Sequence, residues 1–526
     1  MNETFVWNPP ERYNFTRDTI ARHAAERPDA LALLWVDRDG SERRLTFGQL
    51  LNAARHAAGV LRAAGVERGD TVLVLLSREI EWWHLMLGCA AIGAIASPGT
   101  TQLTAKDIAY RRTAANARCI VACPDIAGHV DQALGDDPIV RIHVGGPRDG
   151  WIDYDSAASV PVEEFTDTAF DEDALCYFTS GTTGMPKMTI HAAGYPLAHE
   201  ITGRYWLGLG PTDLHWNLSD TGWAKAAWSS LYAPWLMGAA IFVHHSHGFD
   251  PVATMDMLER YPITTLCAPP TAYRMFVRAD LEGRTFPTLR HCVSAGEPLN
   301  PEVIDLWKAA TGLDIFDGYG QTETVMLCCN RPGAARQGAM GRPAPAFRMA
   351  VIDEDGNPLP PRTEGDIALR VAEGRPPGLF TGYRDDPART ASVFRHGWYL
   401  TGDRAEVDED GYFWFVGRAD DVILSSGYRI GPFEVESALF EHPAVAESAV
   451  VASPDETRGE VVKAFVVLAP GYAPSDDLVR TLQDHVKATT APYKYPRRIA
   501  FVASLPKTVS GKIRRKELRD AEWGKA

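Results

Sequence analysis

Hydrophobic and polar positions along about the first two thirds of the chain predict helices packed on parallel sheets. A helix is predicted from Thr46, because Thr46 and Gln49 suit a capping box and apolar residues recur on one face as far as Gly65. The apolar run 71–76 predicts a strand buried on both faces, and the segment EIEWWHLMLGCAAIGA predicts a second helix. The same alternation recurs at CIVAC, AAIFVHH, ITTLCAP and LRHCVSA, which predicts βαβ units.

The pattern changes after about Ile352. Short strand-like segments are then separated by Asp-Gly and Gly-Trp turns, which predicts antiparallel or barrel-like structure. Beyond Arg418 the strand-like segments VAESAVVAS and VVKAFVVLAP precede an amphipathic helix, DDLVRTLQDHVKATT. We therefore predict an α/β fold of helix-covered sheets with a small barrel-like part, and a smaller α+β domain that begins near Asp420.

The longest apolar tract, AAWSSLYAPWLMGAAIFVHH, does not suit a membrane span. Serines, a proline and a glycine interrupt it, whereas a span needs about 20 residues with few interruptions. We predict a buried helix that runs into a buried strand, and no transmembrane segment.

Length and charge narrow the class of protein. The 526 residues exceed what one hydrophobic core usually holds, so we expect more than one domain. With 45% hydrophobic and 23% charged residues the composition is that of a globular protein. The net charge of −15 argues against nucleic acid or an anionic membrane as a partner, since both require broad basic surfaces.

The cysteines and the first residues predict a reducing, cytoplasmic location. Eight cysteines are scattered along the chain, and the close pairs Cys119/Cys123 and Cys328/Cys329 lack further ligands at zinc spacing. The segment MNETFVWNPPERYNFTRD has neither the apolar core of a signal peptide nor the character of a transit peptide. The histidine run at 244–247 follows an apolar strand with no partnered ligand set, which disfavours a catalytic zinc.

The segment YFTSGTTGMPKMTIH resembles a phosphate-binding loop in composition. It fails the Walker A template, because Pro186 stands where the glycine of Gly-Lys-Ser/Thr belongs. Its hydroxyl groups and backbone N–H groups suit a polyphosphate, with Lys187 as a mobile charge. The alternative is a hydrophilic surface turn.

Three later segments carry polar residues in turns. In DGYGQTET, two glycines permit a tight turn and Glu323 offers the carboxylate oxygen that Mg²⁺ prefers. In YLTGD, Asp403 suits the two hydroxyls of a ribose, with Arg418 as a further donor. In PKTVSGKI, Lys512 stands in an elbow before a basic helix. Each has a plainer alternative, a β-turn or a solvated charge.

Together and in this order, the segments resemble the adenylate-forming superfamily of acyl-CoA synthetases, luciferases and adenylation domains. The matching segments are YFTSGTTGMPK, GYGQTE, YLTGD, GRADD and PKTVSGKI, and they span nearly the whole chain. SDTGWAKAAWSSLYAPW and SSGYRIGPFEVE are similar to the medium-chain acyl-CoA synthetases.

This resemblance implies a two-step ligase. A carboxylate attacks the α-phosphate of MgATP to give an acyl-adenylate and pyrophosphate, and CoA then displaces AMP. The implied domains are 1–417, which holds ATP and the acid, a hinge at 418–421 with Asp420, and a mobile domain at 422–526. The implied cofactors are ATP, Mg²⁺ and CoA, and the oligomeric state stays open between monomer and homodimer.

The resemblance also assigns site residues. Lys512, Thr322 and Glu323 would be catalytic, with Glu323 on the metal. The CoA-binding residues would be Ser426, Gly427, Tyr428 and Arg429. The implied ATP-binding residues are Thr179, Ser180, Gly181, Thr182, Thr183, Gly184, Lys187, Asp317, Gly318, Tyr319, Gly320, Gln321, Thr322, Asp403, Arg418 and Lys512.

The acid is predicted to be apolar and of medium length. In acetate-activating relatives a tryptophan precedes the Gln-Thr-Glu and closes the pocket, whereas this chain has Gly320 there, with Trp223 as a lining residue. Branched or aromatic acids also suit such a pocket. An adenylation enzyme that loads a carrier-protein thiol would share the ATP-binding segments, and a nucleotide-binding protein without activity would share the fold.

Overall fold

The computed structural model describes residues 5–179, 185–246, 248–279, 281–425, 428–455, 458–507 and 513–524, with the backbone alone at Arg429. Within them the strands form four sheets, two that are large and mostly parallel and two that are small and mostly antiparallel. The mixed α/β class predicted from the sequence is confirmed. The antiparallel third sheet takes the place of the predicted barrel-like part.

The first sheet has a parallel centre and antiparallel edges. The side chains of its inner strands are mostly buried, polar ones such as His215, Thr265 and Ser294 included, because helices cover both faces. Among the described residues, nine strands form it in the spatial order Arg342–Pro343, Met326–Cys329, Ile315–Gly320, His291–Ala295, Thr265–Ala268, Leu214–Asn217, Ala240–His244, Leu31–Val36 and Glu42–Thr46.

The second sheet is built on the same plan, with an antiparallel pair at one edge. The predicted strand at 71–76 lies near its centre as Thr71–Leu75, buried throughout. In the described part of the chain its eight strands are, in spatial order, Gly382–Tyr383, Lys187–Ala192, Asp173–Thr179, Ile95–Pro98, Thr71–Leu75, Ala117–Ala122, Val140–His143 and Ile152–Asp153.

Helices join the parallel strands, which confirms the predicted βαβ rhythm. Thr46 and Gln49 form the predicted capping box at the start of the helix Phe47–Ala63. The α-helices are Arg22–Glu26, Phe47–Ala63, Glu81–Ile92, Ala105–Ala114, Pro124–Leu134, Tyr195–Thr202, Ala224–Ala227, Ala233–Leu236, Pro251–Arg260, Pro270–Phe276, Pro301–Thr311, Pro387–Ser392, Pro432–Phe440, Asp476–Thr489 and Arg515–Glu522. In the described chain, no helix is both long and apolar enough to cross a bilayer.

The chain leaves the third sheet at Arg418 and enters the fourth at Ile423. The third sheet comprises Met349–Ile352, Gly365–Arg370, Trp398–Val407, Phe394–Arg395 and Phe413–Arg418. The fourth comprises Tyr428–Ile430, Ile423–Ser425, Gly459–Leu468, Val445–Asp455 and Arg498–Phe501. Three helices pack with the fourth sheet as a small C-terminal domain that has an apolar core of its own.

All eight cysteines are unpaired and buried. Burial raises the pKa of each thiol, to about 12 for Cys89, Cys123 and Cys292, to about 11 for Cys176 and Cys329, and in the same direction for Cys119, Cys267 and Cys328. The thiols therefore stay protonated at neutral pH.

Trp307 anchors the apolar core on the outer face of the first sheet. It is fully buried, and its ring lies 5.4 Å from that of Tyr273 and 5.9 Å from that of Phe286, between centroids. We expect Trp307→Ala to lower the free energy of unfolding by about 3–5 kcal/mol, because the substitution leaves a cavity. Urea unfolding followed by circular dichroism measures this.

Leu306 is the matched control, since it lies on the same helix and is 45% exposed. Leu306→Ala should change the free energy of unfolding by less than about 0.5 kcal/mol. Equal losses in the two variants would contradict the assignment of Trp307 to the core.

Candidate active site

A cleft of about 1510 Å³ opens at the carboxyl ends of the strands His291–Ala295 and Ile315–Gly320. These strands are parallel neighbours in the first sheet, and ligands of open α/β sheets bind at such strand ends. The third sheet and the C-terminal domain form the other walls. The segments 296–298, 317–323, 401–403 and 417–421 therefore face one space.

A network around Asp403 joins the first and third sheets. Tyr319 Oη donates to Asp403 Oδ2 at 2.6 Å, and Gln321 Nε2 donates to the same oxygen at 2.7 Å. Tyr399 Oη donates to Gln321 Oε1 at 3.0 Å, which fixes the orientation of the amide. Arg418 Nε lies 3.9 Å from Asp403 Oδ1 and is half-exposed, so this ion pair is weak and its donors can turn toward a ligand.

Glu323 and Lys187 meet through Tyr383. The Tyr383 hydroxyl donates to Glu323 Oε1 at 2.9 Å, and Lys187 Nζ lies 3.4 Å from that hydroxyl and 4.7 Å from the ring centroid. Burial lowers the pKa of Lys187, although the Glu323 carboxylate opposes this. An anion that entered the cleft would raise the pKa of Lys187 again, whereas Glu323 suits a divalent cation.

A buried histidine supports the turn that carries Thr322. His191 is fully buried, and burial lowers its pKa to about 3, so the ring is neutral. Its Nε2–H therefore donates to the Thr322 carbonyl oxygen, at 2.6 Å. The ring of Tyr195 lies 3.8 Å away, between centroids, and packs against the histidine. The Gln-Thr-Glu turn thus rests on a rigid aromatic support.

Asp317 is a buried acid at the floor of the cleft. Burial raises its pKa to about 8, against the backbone N–H of Gly318, which donates to Oδ1 at 2.9 Å, and against the charge of Lys225. Lys225 Nζ donates to the Ala295 carbonyl oxygen at 2.6 Å. Lys225 thus interacts with both neighbouring strands, with one through the hydrogen bond to Ala295 and with the other through its charge near Asp317.

Trp228, rather than Trp223, lies against Gly320. A Cβ at Gly320 would come within 2.9 Å of Trp228 Cη2 and 2.5 Å of the Val325 carbonyl oxygen, so the glycine permits this close packing. Trp228 Nε1 donates to the Tyr195 hydroxyl at 2.5 Å, which fixes the indole. Trp223 is half-buried, and neither indole is among the described residues that line the cleft, so Trp228 lies behind Gly320.

Several predicted residues lie outside the described ranges. They are Ser180, Gly181, Thr182, Thr183 and Gly184 of the hydroxyl-rich loop, Ser426 and Gly427, and Lys512. Thr179 borders the loop and lines the cleft, and its buried hydroxyl has no hydrogen-bond partner among the described residues. Lys507 and Ile513, which flank the segment that contains Lys512, line the same cleft.

Of the predicted CoA-binding residues, Tyr428 alone has a described side chain, and it is not among the residues that line the cleft. Tyr428 is 52% exposed, and its ring stacks on that of Tyr493 with the centroids 4.2 Å apart. Arg429 belongs to the strand Tyr428–Ile430, and its side chain is outside the described set. Asp420 is exposed and lines the cleft between the sheets.

The sequence analysis missed several lining residues. The segment Gly296, Glu297 and Pro298 lines the cleft beside 317–319, and its position directly after a predicted strand, in SAGEPLN, could have indicated this. Tyr399 and Thr401 belong to the segment YLTGD, in which the sequence analysis chose Asp403 alone, whereas Tyr383 comes from a segment whose local sequence gives no signal.

The histidine run has ion-pair partners. His245 Nδ1 lies 2.9 Å from Asp37 Oδ1, and its Nε2 lies 3.6 Å from Glu79 Oε1. Cys123 and Asp125 are close to Glu79, and among the described residues these three form the one cluster of potential metal ligands. Arg38 pairs with both Asp125 and His245, so a cation from the chain already occupies this position. His247 lies outside the described residues.

Comparison with known proteins gives one family over most of the chain. A family model described as AMP-binding enzyme matches residues 20–384, and one for the AMP-binding enzyme C-terminal domain matches 434–512. Acyl-coenzyme A synthetase ACSM3, mitochondrial, from Homo sapiens is 48% identical over 99% of this chain and 92% of its own length. Acyl-coenzyme A synthetase ACSM4, mitochondrial, from Mus musculus is 50% identical over 98% of this chain and 92% of its own.

Solved structures agree with this match. The anthranilate CoA ligase AuaEII in complex with anthranoyl-AMP superimposes with a TM-score of 0.90 at 31% identity, over 98% of each chain. The acyl-CoA synthetase of Brucella canis gives a TM-score of 0.75 at 37% identity, over 99% of this chain and 96% of its own.

The raised pKa of Asp317 predicts a pH-dependent stability. Between its unfolded pKa near 4 and its folded pKa of about 8, the folded state holds a proton that the unfolded state has released. The free energy of unfolding therefore falls as the pH rises through this window, by on the order of 1 kcal/mol per pH unit for this group. Asp317→Asn removes the titration.

Urea unfolding of wild type and Asp317→Asn, from about pH 5 to about pH 7, isolates this group because other titrations cancel in the difference. We expect the variant to gain stability relative to wild type as the pH rises. A difference that stays constant over this range would show that Asp317 is ionised in the folded protein.

Proposed function

The chain belongs to the AMP-binding enzyme family and is an AMP-forming acyl-CoA synthetase, and we propose that it activates a medium-chain, apolar carboxylic acid. Its co-substrates are ATP and CoA. The observation that best supports the assignment of the site is that Glu323, Lys187 and Asp403 face one cleft at the carboxyl ends of parallel strands. The roles of individual residues, given below, are proposals.

We propose that the nucleotide lies along the first sheet. The adenine would lie against the segments 296–298 and 317–319, which line the cleft side by side at the ends of neighbouring parallel strands. Asp403 would accept hydrogen bonds from the ribose hydroxyls, and Arg418 would turn from its weak ion pair to the sugar. Tyr319 and Gln321 would hold Asp403 in place for this contact.

The phosphates would lie toward Lys187 and the hydroxyl-rich loop. Thr179 offers a buried hydroxyl with no partner within the described residues, and a phosphate oxygen would satisfy it. A phosphate anion beside Lys187 would oppose the lowering of its pKa by burial and stabilise the charged ammonium group. Glu323 fits a magnesium ion, with Thr322 beside it, and such an ion would neutralise charge on the departing pyrophosphate.

Lys512 would neutralise the two anions that must react. The acid carboxylate and the α-phosphate repel each other, and a lysine placed between them would stabilise the charge of the transition state. Lys507 and Ile513 at the cleft support this position for the segment. Thioester formation would require the C-terminal domain to rotate at 418–421, near Asp420, and bring the segment 426–429 to the cleft.

The packing of Trp228 on Gly320 supports an acyl pocket with a fixed wall. An aliphatic chain would extend beyond this wall, which favours a medium-length acid. Aromatic acids are a second candidate, because an anthranilate CoA ligase and a benzoate CoA ligase are similar to this chain in structure. Chain length and ring shape can be compared in one assay.

We also propose that the protein works in the cytoplasm. Its eight unpaired cysteines suit a reducing compartment. The curated relatives bear the word mitochondrial in their names, so fractionation of the cells that produce this protein is the deciding measurement.

The acid preference is tested by pyrophosphate release and acyl-CoA formation with MgATP, CoA and acids from acetate to dodecanoate, with benzoate alongside. We expect both rates to be highest near the middle of the aliphatic series and to vanish with EDTA. A maximum at acetate or benzoate would contradict the medium-chain proposal. Pyrophosphate release without acyl-CoA would mean that another thiol, such as that of a carrier protein, is the acceptor.

The role of Lys512 is tested by separating the two half-reactions. We expect Lys512→Ala to slow acyl-adenylate formation by at least about 100-fold, while CoA acylation from supplied acyl-adenylate stays near the wild-type rate. Lys308→Ala is the control, because Lys308 is half-exposed and pairs with Asp314 far from the cleft. An equal loss in both half-reactions would contradict the proposed role.

A further inference from the structure

The C-terminal domain touches the N-terminal domain through a small set of contacts beside the cleft. These contacts involve the end of the helix Pro270–Phe276 and the loop 296–300 on one side. On the other side they involve the helix Pro432–Phe440 and the start of the strand Val445–Asp455. They hold the domain in the orientation that brings Lys507 and Ile513 to the cleft.

Arg278 makes the most extensive of these contacts. Its guanidinium donates to the Val445 carbonyl oxygen at 2.8 Å and to that of Ala446 through its other terminal nitrogen. The same group lies 4.3 Å from the ring centroid of Phe440. One arginine of the N-terminal domain thus binds two backbone acceptors and an aromatic face of the C-terminal domain.

A bulge at the start of the strand provides these acceptors. The register of Val445–Asp455 against its neighbour shifts between Val445 and Glu447, so Ala446 is left out of the ladder. Its carbonyl oxygen can therefore accept from outside the sheet. The acceptor pair is a property of the backbone and survives changes of side chain at these positions.

Phe440 and Asn300 complete the contact. Phe440 is 9% exposed and belongs to the apolar cluster of the first sheet, although it comes from the C-terminal domain. Asn300 Nδ2 donates to Ser437 Oγ at 2.8 Å, and Arg274 Nη1 donates to Asn300 Oδ1 at 3.3 Å, which orients the amide. Rotation of the C-terminal domain would break all of these contacts together.

We propose that Arg278 is a positioning residue that holds the C-terminal domain in the orientation for acyl-adenylate formation. This inference rests on the proposed function of the cleft and of Lys512. Arg278 remains exposed in part, so the contact can open without burying an unpaired charge. Its loss lowers the population of the adenylating orientation and leaves the ATP-binding residues in place.

The test compares the two half-reactions in Arg278→Ala. Charge-assisted hydrogen bonds of this kind are worth roughly 10- to 100-fold in an equilibrium, so kcat for acyl-adenylate formation should fall by about that factor. KM for ATP should change little. CoA acylation from supplied acyl-adenylate should be unchanged or faster, because the opposing orientation gains population. Arg278→Lys, which keeps the charge but has a single donor nitrogen in place of the two that Arg278 uses, should recover part of the loss.

Arg284 is the matched control. It lies six residues further along and forms ion pairs with Asp256 and Glu259, both within the N-terminal domain. Arg284→Ala should leave the ratio of the two half-reaction rates at the wild-type value. An Arg278→Ala variant with the wild-type ratio, whether both rates fall equally or neither falls, would overturn the proposal for Arg278. Absence of acyl-adenylate formation in the wild type would instead overturn the proposed function.

Discussion

A single carboxylate joins the two sheets between which the cleft lies. Asp403 belongs to the third sheet, and the donors Tyr319 and Gln321 stand at the carboxyl end of a strand of the first. Because the Asp403 side chain is 10% exposed, these hydrogen bonds form where water competes little. The position of the Gln-Thr-Glu turn, and with it the distance from Glu323 to Lys187, depends on this junction. His191 supports the same turn from the opposite side.

The regular elements were predictable because their physical causes are local. Strands such as Thr71–Leu75 are apolar throughout since both faces are covered, and the capping box at Thr46 depends on residues three apart. The choice of Trp223 over Trp228 shows the limit of such reasoning. Trp223 is the extended residue before the helix Ala224–Ala227, with φ −113° and ψ 147°, so it does not follow the helical spacing of Trp228, and that spacing does not reveal which indole meets Gly320. Likewise, only the tertiary fold brings Tyr383 to Glu323.

The C-terminal domain has an apolar core of its own and is attached to the N-terminal domain by a limited set of contacts. Its core, built on residues such as Ile423, Val450 and Leu482, is separate from the clusters of the N-terminal domain. Arg278 and Asn300 make polar contacts beside the cleft and Phe440 adds an apolar one, while the helix Pro432–Phe440 also packs on the strand Phe413–Arg418. A domain that folds around its own core and is held by a few polar contacts can change orientation without exposing a large apolar surface. The segment between Arg418 and Ile423 connects the third sheet to the fourth, and a rotation of the C-terminal domain would pivot there.

The buried cysteines bear on chemical selectivity. An acyl-adenylate acylates whichever thiolate reaches it, and thiolates are the reactive form of cysteine. In this chain all eight thiols are buried with raised pKa values, so none offers an accessible thiolate. Acylation of the enzyme's own cysteines, which would inactivate it over successive turnovers, is thereby suppressed. The activated acyl group therefore reacts with an external thiol partly because no cysteine of the protein competes for it.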